Sequence, residues 1–333
     1  MNTRVTMRDV ASAVGVSPMT VSRAFRDDKT VSAETRAKVR EVARQLGYVY
    51  DSTATAFRTQ KSGFVAVTLP SVNNANFAET YRGMTNAFAR SGMQVLLGAT
   101  NYRVEREQEL VRQLLARNPE ALVMTGGNHS AETRALVGAL TIPVIEMWDL
   151  PPEPLGHAIG FSNAQAMALI VDHLADTGRT RLAFMGASEG ADLRGAERRA
   201  GVIARAEARG LPPVHLLDAG PAPVSMRDGA ACLRARHREL TEIDALLCVS
   251  DTVAFGALSE CKRLGLSVPG DLAITGFGQF DVAVVSEPQI TTVDVKARRI
   301  GEVVAETLDR LFEGNDVPRH TDLGMELILG GTS

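Results

Sequence analysis

Apolar residues follow two rhythms along this chain, and the rhythm changes near residue 64. Before that point they fall at helical spacing. Val10, Ala11 and Val14 make one stripe, Gly15 marks a tight turn, and Val21, Ala24 and Phe25 make a second stripe. Ser17 is placed to cap the second helix through its hydroxyl, and Pro18 follows at the first helical position, where a missing N–H costs nothing. The outer face then carries Pro18, Met19, Thr20, Ser22 and Arg23. A third helix is predicted over residues 32–46, with Ala33, Ala37, Val39, Val42, Ala43 and Leu46 on one side, Ser32 as cap and Gly47 as stop. Residues 48–62 lose the pattern of a packed element but keep Arg58 and Lys61, which reads as a linker with some helical capacity.

From Phe64 the texture becomes β-branched apolar runs alternating with amphipathic helices. Strands are predicted to begin at Phe64, Gln94, Ala121 and Pro143, and a second series at Leu182, Val214, Ala245 and Leu272. The steps of 30, 27 and 22 residues, then 32, 31 and 27, are the rhythm of βα units in parallel sheets. Residues 290–294 predict one more strand, residues 296–313 a long amphipathic helix and residues 325–329 a last strand, so the chain is expected to cross between lobes more than once. The fold class is therefore α/β: a three-helix head with a helix-turn-helix and a hinge, followed by two doubly wound parallel-sheet lobes. The expected domains are 1–49 (head), 50–62 (hinge) and 63–333, with lobe 1 over about 63–160 and 291–320, and lobe 2 over about 161–290 and 321–333.

A helix pair joined in this way presents small polar groups and one guanidinium to a partner. That partner is either solvent, as in an ordinary helical domain, or the DNA major groove, where Arg bonds guanine bidentately. Charge favours DNA. The net charge of −3 hides a balance of +5 over residues 1–61, with 11 Lys and Arg against 6 Asp and Glu, and −8 over the rest. A basic head on an acidic body is the footprint of a nucleic-acid module joined to something that should not stick to DNA. On DNA the linker would form a short helix; without it, a flexible tether.

With 45% apolar and 23% charged residues in 333, the chain is globular, and no apolar run is long enough to span a membrane. The first ten residues lack a secretory signal's apolar segment, and Cys232, Cys248 and Cys261 share no metal or redox spacing. A cytoplasmic protein with reduced, structural thiols is expected.

Ligands of open parallel sheets bind at the carboxyl ends of the strands, so two facing sheets should share one cleft. The residues expected there are Ser71, Asn73, Asn101, Tyr102, 126–129, Glu146 and Trp148 from the first lobe, with 187–190, Ser250, Asp251 and 276–280 from the second. They are rich in amide, hydroxyl and aromatic groups, with no metal-ligand or nucleophile and base spacing. This suits a hydrogen-bonding small-molecule site with no catalytic residue, metal or cofactor. Trp148 is either core or a stacking surface, His129 reads as a loop histidine, Asp251 as an N-cap or a ligand contact, and residues 186–190 (GASEG) lack a dinucleotide fingerprint.

Residues 7–48, MRDVASAVGVSPMTVSRAFRDDKTVSAETRAKVREVARQLGY, resemble the head of the lactose/galactose repressor family of bacterial transcription regulators. The two-lobed body resembles its periplasmic-binding-protein-like effector domain. The stretches LPSVNNANFAE, IPVIEMWD, GFSN and GFGQFD look most like the gluconate-utilisation repressor branch. The resemblance implies DNA contacts from Ser17, Pro18, Met19, Thr20, Ser22 and Arg23, and from a hinge containing Ala54, Phe57 and Arg58. Phe57 stands where members usually place a leucine wedge, and Tyr50-Asp51 stands where they often have Pro-Asn.

In the cleft, the family's Arg-x-x-Gly matches Arg198 and Gly201, with the guanidinium holding a sugar hydroxyl or carboxylate. An Asn-Asp pair appears as Ser250-Asp251, and a sugar-binding aspartate is replaced by Gly278. Loss of that charge fits an anionic ligand, whereas Glu146 brings a carboxylate to the edge and either points away or pairs with Arg198. The expected effector contacts are Ser71, Asn73, Phe77, Tyr102, Thr125, Glu146, Trp148, Arg198, Ser250, Asp251 and Gln279. The implied function is a homodimeric repressor of a palindromic operator, released by a gluconate-type or ketogluconate-type sugar acid. A neutral or phosphorylated sugar is the alternative effector, and a cytosolic sugar-binding protein or sugar-acid enzyme the alternative class. No leucine heptad closes the sequence, which argues against a tail-mediated tetramer.

Overall fold

The computed structural model describes residues 5–26, 28–50, 62–187 and 192–333. The chain divides into two compact units, residues 1–62 and 63–333. The first contains α1 (Met7–Val14), α2 (Pro18–Phe25) and α3 (Ala33–Leu46). Their local chemistry follows the predicted caps. Ser17 Oγ accepts Thr20 N at 3.1 Å with Pro18 at the first position, Ser32 Oγ accepts Thr35 N at 3.2 Å, and Gly15 and Gly47 end α1 and α3 in left-handed conformations. Val10, Ala11, Val14, Val21, Ala24, Val39 and Ala43 form its buried core, joined by Val31 from the turn before α3.

The second unit holds two parallel sheets. Its elements are β1 (Phe64–Leu69), α4 (Ala75–Phe88), β2 (Gln94–Ala99), α5 (Val104–Leu115), β3 (Ala121–Thr125), α6 (Ala131–Gly138), β4 (Val144–Met147) and β5 (His157–Gly160). There follow α7 (Asn163–Asp176), β6 (Leu182–Gly186), α8 (Leu193–Ala208), β7 (His215–Asp218), α9 (Met226–Arg236), β8 (Ala245–Cys248), α10 (Asp251–Leu264), β9 (Ala273–Thr275) and α11 (Asp281–Val285). The chain closes with β10 (Thr292–Asp294), α12 (Ala297–Phe312), β11 (His320–Asp322) and β12 (Glu326–Ile328). The first sheet runs β11-β5-β4-β3-β1-β2 and the second β7-β6-β8-β9, with every pairing parallel. Their central strands are buried on both faces, which is why they read as continuous apolar runs.

Three crossings join the lobes. The chain leaves the first sheet after β5 and returns through β10 to α12. It leaves again after β11, pairs β12 antiparallel with β10, and ends against the second sheet, where Thr332 Oγ1 donates to Ile274 O at 2.6 Å. β11 lies in the first sheet, so the expected lobe boundary between residues 320 and 321 falls inside a strand. α12 completes the first lobe by packing on α4. The helices touch backbone to backbone, since a Cβ at Gly83 would strike Arg298 O and one at Gly301 would strike Thr80 O. Thr80 Oγ1 donates to Ala297 O at 2.8 Å across the same contact. The three cysteines are buried and free, and among the described residues no helix is long and apolar enough to cross a membrane.

Candidate functional site: a recognition helix and an interlobe cleft

On the first unit, α2 turns Pro18, Met19 and Arg23 outward, with Met19 55% exposed, while Val21 and Ala24 face the core. Thr20 and Ser22 are half-buried. The Ser17 hydroxyl is occupied by its cap and by Thr20 Oγ1 at 3.0 Å, and Ser22 Oγ lies 3.3 Å from Tyr50 Oη. Ala54, Phe57 and Arg58 lie outside the described residues.

On the second unit, a cavity of about 800 Å³ opens between the carboxyl ends of the two sheets. Its wall includes Tyr102, Thr125, Asp149, Asn163, Arg194 and Glu197. A smaller recess adjoins it, lined by Asn74, Asn76, Phe77, Trp148, Arg198, Ser250, Phe277 and Phe280, with Arg194 common to both. Four rings step across the floor from one lobe to the other. Phe77 and Trp148 meet edge to face at 5.1 Å, Trp148 and Phe161 at 5.9 Å, and Phe161 and Phe277 at 6.1 Å.

Arg198 is the hub of the recess. Its guanidinium lies over Phe277 at 3.7 Å, Nε donates to Asn163 Oδ1 at 2.9 Å, and one terminal nitrogen donates to Val249 O at 2.9 Å. Burial lowers its pKa to about 10 against the pull of Asp192 and Asp149, so it stays cationic at neutral pH. Arg194, one turn earlier on α8, stands 5.4 Å from the Phe77 ring. Asn163 donates to Asp149 Oδ1 at 3.1 Å and to Glu197 Oε2 at 3.2 Å, so one amide spans a carboxylate from each lobe. Burial raises the pKa of Asp149, opposed by Arg194 and Arg198; burial and the charge of Asp149 raise that of Glu197.

Phe77, Trp148, Arg198 and Ser250 line the recess, and Tyr102 and Thr125 line the larger cavity. Thr125 turns its hydroxyl to Thr68 O at 2.7 Å. Trp148 is both core and wall: it is 2% exposed, holds φ at 81° and lines the recess, with Nε1 lacking a hydrogen-bond partner among the described residues.

Five expected contacts are corrected. Glu146 sits inside β4 and lines neither the cavity nor the recess: Oε2 accepts Leu155 N at 2.5 Å and Oε1 lies 3.3 Å from His129 Nε2; it does not meet Arg198. The cleft carboxylate of this strand is Asp149, beyond its end. Asp251 is fully buried and its oxygens are taken by Phe280 N at 2.7 Å and Thr292 Oγ1 at 2.5 Å, while Ser250 serves as the N-cap. Burial raises the Asp251 pKa to about 6 despite these bonds. Gln279 faces Asp294 on β10, at 3.0 Å with its amide nitrogen toward the carboxylate. Ser71 Oγ accepts Asn73 N at 3.1 Å and neither lines the cleft, because the turn there advances Asn74 and Asn76 instead.

His129 lies in the loop between β3 and α6, as expected, but not as a free surface residue. It is buried, with Nδ1 2.6 Å from Glu107 Oε1 and Nε2 facing Glu146. Residues 188–190 lie outside the described residues. Gly278 holds φ at 118°, and a Cβ there would come within 2.6 Å of both Asn76 Nδ2 and the Phe280 ring, so no aspartate fits.

Sequence reasoning missed Asp149, Asn163, Arg194 and Glu197. Their signal was present: Asp149 follows a strand end, and Arg194 and Glu197 lie one turn or less from Arg198 on the same helix. Among the described residues no group of three or more His, Cys, Asp or Glu could hold a metal ion.

Comparison with known proteins accounts for both units. A family model described as bacterial regulatory proteins, lacI family, matches residues 6–51, and one described as a periplasmic binding protein-like domain matches residues 171–333. The HTH-type transcriptional regulator GntR of Escherichia coli (strain K12) is 33% identical over 338 residues, covering 99% of this chain and 98% of that protein. The crystal structure of a LacI-family transcriptional regulator from Silicibacter pomeroyi is 28% identical, with a TM-score of 0.91 over 98% of this chain and 99% of that one. The structure of the transcription regulator GntR from Chromobacterium violaceum is 34% identical, with a TM-score of 0.76 over 81% of this chain and 99% of that one. The chain belongs to the lacI family of bacterial transcriptional regulators.

Proposed function

We propose that this regulator is a repressor that binds a palindromic operator as a homodimer and is released when a sugar acid of the gluconate or ketogluconate type enters the interlobe cleft. One observation carries the choice of ligand. The recess lies at the N-terminal ends of α4 and α10 and is walled by Arg194 and Arg198 of α8, and no carboxylate lines it among the described residues. Helix N-termini and guanidiniums favour an anion, and Trp148 Nε1 adds a donor in need of an acceptor. The adjoining cavity supplies the opposite chemistry, since Asp149 and Glu197 accept hydrogen bonds from hydroxyl groups. A ligand with a carboxylate at one end and a polyol along the rest suits both. Binding it would favour one arrangement of the lobes, and operator affinity would change by the difference in ligand affinity between arrangements.

Thermal-shift titration of the full chain tests the ligand class. Gluconate or 2-ketogluconate is expected to raise the melting temperature, and glucitol, which lacks the carboxylate, to leave it unchanged. Arg194→Gln is expected to weaken acid binding by about 10-fold, the value of one charge-assisted hydrogen bond. Equal stabilisation by glucitol, or by the 6-phosphates alone, would replace the sugar acid with a neutral or phosphorylated sugar. In gel shifts the acid is expected to release DNA, and tighter binding would reverse the sign.

For the first unit, Arg23→Ala is expected to weaken operator binding by about 10- to 100-fold per half-site while ligand binding stays unchanged. A variant with unaltered operator affinity would take Arg23 out of the interface. The same pair of measurements excludes a sugar-binding protein or enzyme, for which Arg23 would have no effect.

A further inference from the structure

The end of the DNA-binding unit is fastened to the recognition helix by a contact that the operator-binding reading leaves without a task. α3 stops at Gly47, and Tyr48 N donates back to Ala43 O at 2.8 Å, which turns the chain toward α2. Two aromatic residues then grip one ring. Tyr48 meets Phe25 at 5.9 Å and 60°, and Tyr50 stacks on its face at 5.0 Å and 13°. The Tyr50 hydroxyl reaches Ser22 Oγ at 3.3 Å, on the helix that carries Arg23. Phe25 is the last residue of α2, so the stack fixes where the chain departs relative to the residues offered to the groove.

We propose that Tyr50 is a positioning residue that sets the half-site spacing this regulator accepts, by locking the exit of the chain onto the recognition helix. The proposal rests on the paired-head reading above. When two heads are joined, the second binds at an effective concentration set by the stiffness of the connection. A stiff connection concentrates the second head at one spacing and starves the others, whereas a loose one spreads it over several. Proline would stiffen the backbone at this position but make no stack; tyrosine instead ties the exit to Ser22 and Phe25. Tyr50 therefore acts on geometry between half-sites, and base choice within each half-site stays with α2.

The test uses the full chain and the duplex it selects from a random DNA library, together with that duplex carrying one inserted central base pair and a duplex with a single half-site. Wild type is expected to lose about 100-fold in affinity on the insertion, and Tyr50→Ala only about 10-fold, with single half-site affinities within about three-fold of each other. Tyr50→Phe, which keeps the stack, is expected to hold the wild-type penalty to within about three-fold. The proposal is overturned if Tyr50→Ala keeps the full penalty, or if its half-site affinity falls as far as its operator affinity, which would mark a defect of the head itself. A phenylalanine variant as tolerant as the alanine variant overturns the role of the ring. A wild-type chain indifferent to the insertion removes the paired-head reading, and the proposal with it.

Discussion

Replacing His129 with alanine is expected to lower the melting temperature of the two-lobed unit by on the order of 10 °C, since breaking a buried ion pair costs roughly 3 to 5 kcal/mol. The imidazole lies between Glu107 on α5 and Glu146 on β4, and its removal leaves two buried carboxylates facing a void. Burial alone would lower the His129 pKa, but the hydrogen bonds and charges of both glutamates outweigh it and raise the value to about 9. The sign for stability follows from the shift upward. An unfolded histidine titrates near 6.5, so the contribution is fully present below that pH and is lost as pH rises through 9. Its size is about 3 kcal/mol between those limits. Urea unfolding of wild type and His129→Ala at pH 6 and pH 9.5 checks it. The two proteins should differ strongly at the lower pH and much less at the higher; a constant difference would mean that packing, not charge, sets the cost. Glu107→Gln with Glu146→Gln in the His129→Ala background should recover part of the loss, because it removes the stranded charges.

The second large effect falls on ligand binding. Arg198→Ala is expected to weaken sugar-acid affinity by roughly 100-fold or more, the scale for truncating one partner of a desolvated charge pair. Arg198→Lys is expected to recover little of it. A lysine keeps the charge but cannot bond Asn163 and Val249 with one planar fork while lying flat on Phe277. Because Arg198 also holds Asn163 and Val249 without ligand, calorimetric affinities should be read beside the melting temperature of the free protein. An affinity loss without gross unfolding supports the anion seat, and unaltered acid binding in either variant would sink it.

Much of the architecture was legible because parallel strands buried on both faces write themselves as apolar runs. FVAVTL and LAFMG became β1 and β6 at the expected residues. β5 and β11 escaped because they are four and three residues long and carry His157, His320 and Asp322, which read as loop. The site was legible by type more than by position. Glu146 was assigned to the cleft because it lies near a strand's end, yet its carboxylate is engaged by Leu155 N and His129, and the cleft is lined by Trp148 and Asp149 just beyond that end. Asp251 looked like a cap or a ligand contact and is neither, since its oxygens are spent holding the β9–α11 loop and β10 together. Arg194 and Glu197, four residues and one residue before Arg198, went unread because nearness to Arg198 along the helix does not say which positions meet the cleft until the lobe geometry is known.

The contact of α4 with α12 carries a consequence for how the protein is made. Gly83 and Gly301 must meet for the first lobe to close, and β11 must arrive to cover β5. On the ribosome, the head has all its helices after the first few dozen residues, but the first lobe waits with one sheet edge and one helix face bare while the whole second lobe is synthesised. The two-lobed unit therefore closes only once α12 and β11 have been made, whereas the head can fold long before. A nascent chain stalled between β9 and α12 would carry a folded head on an unfinished body.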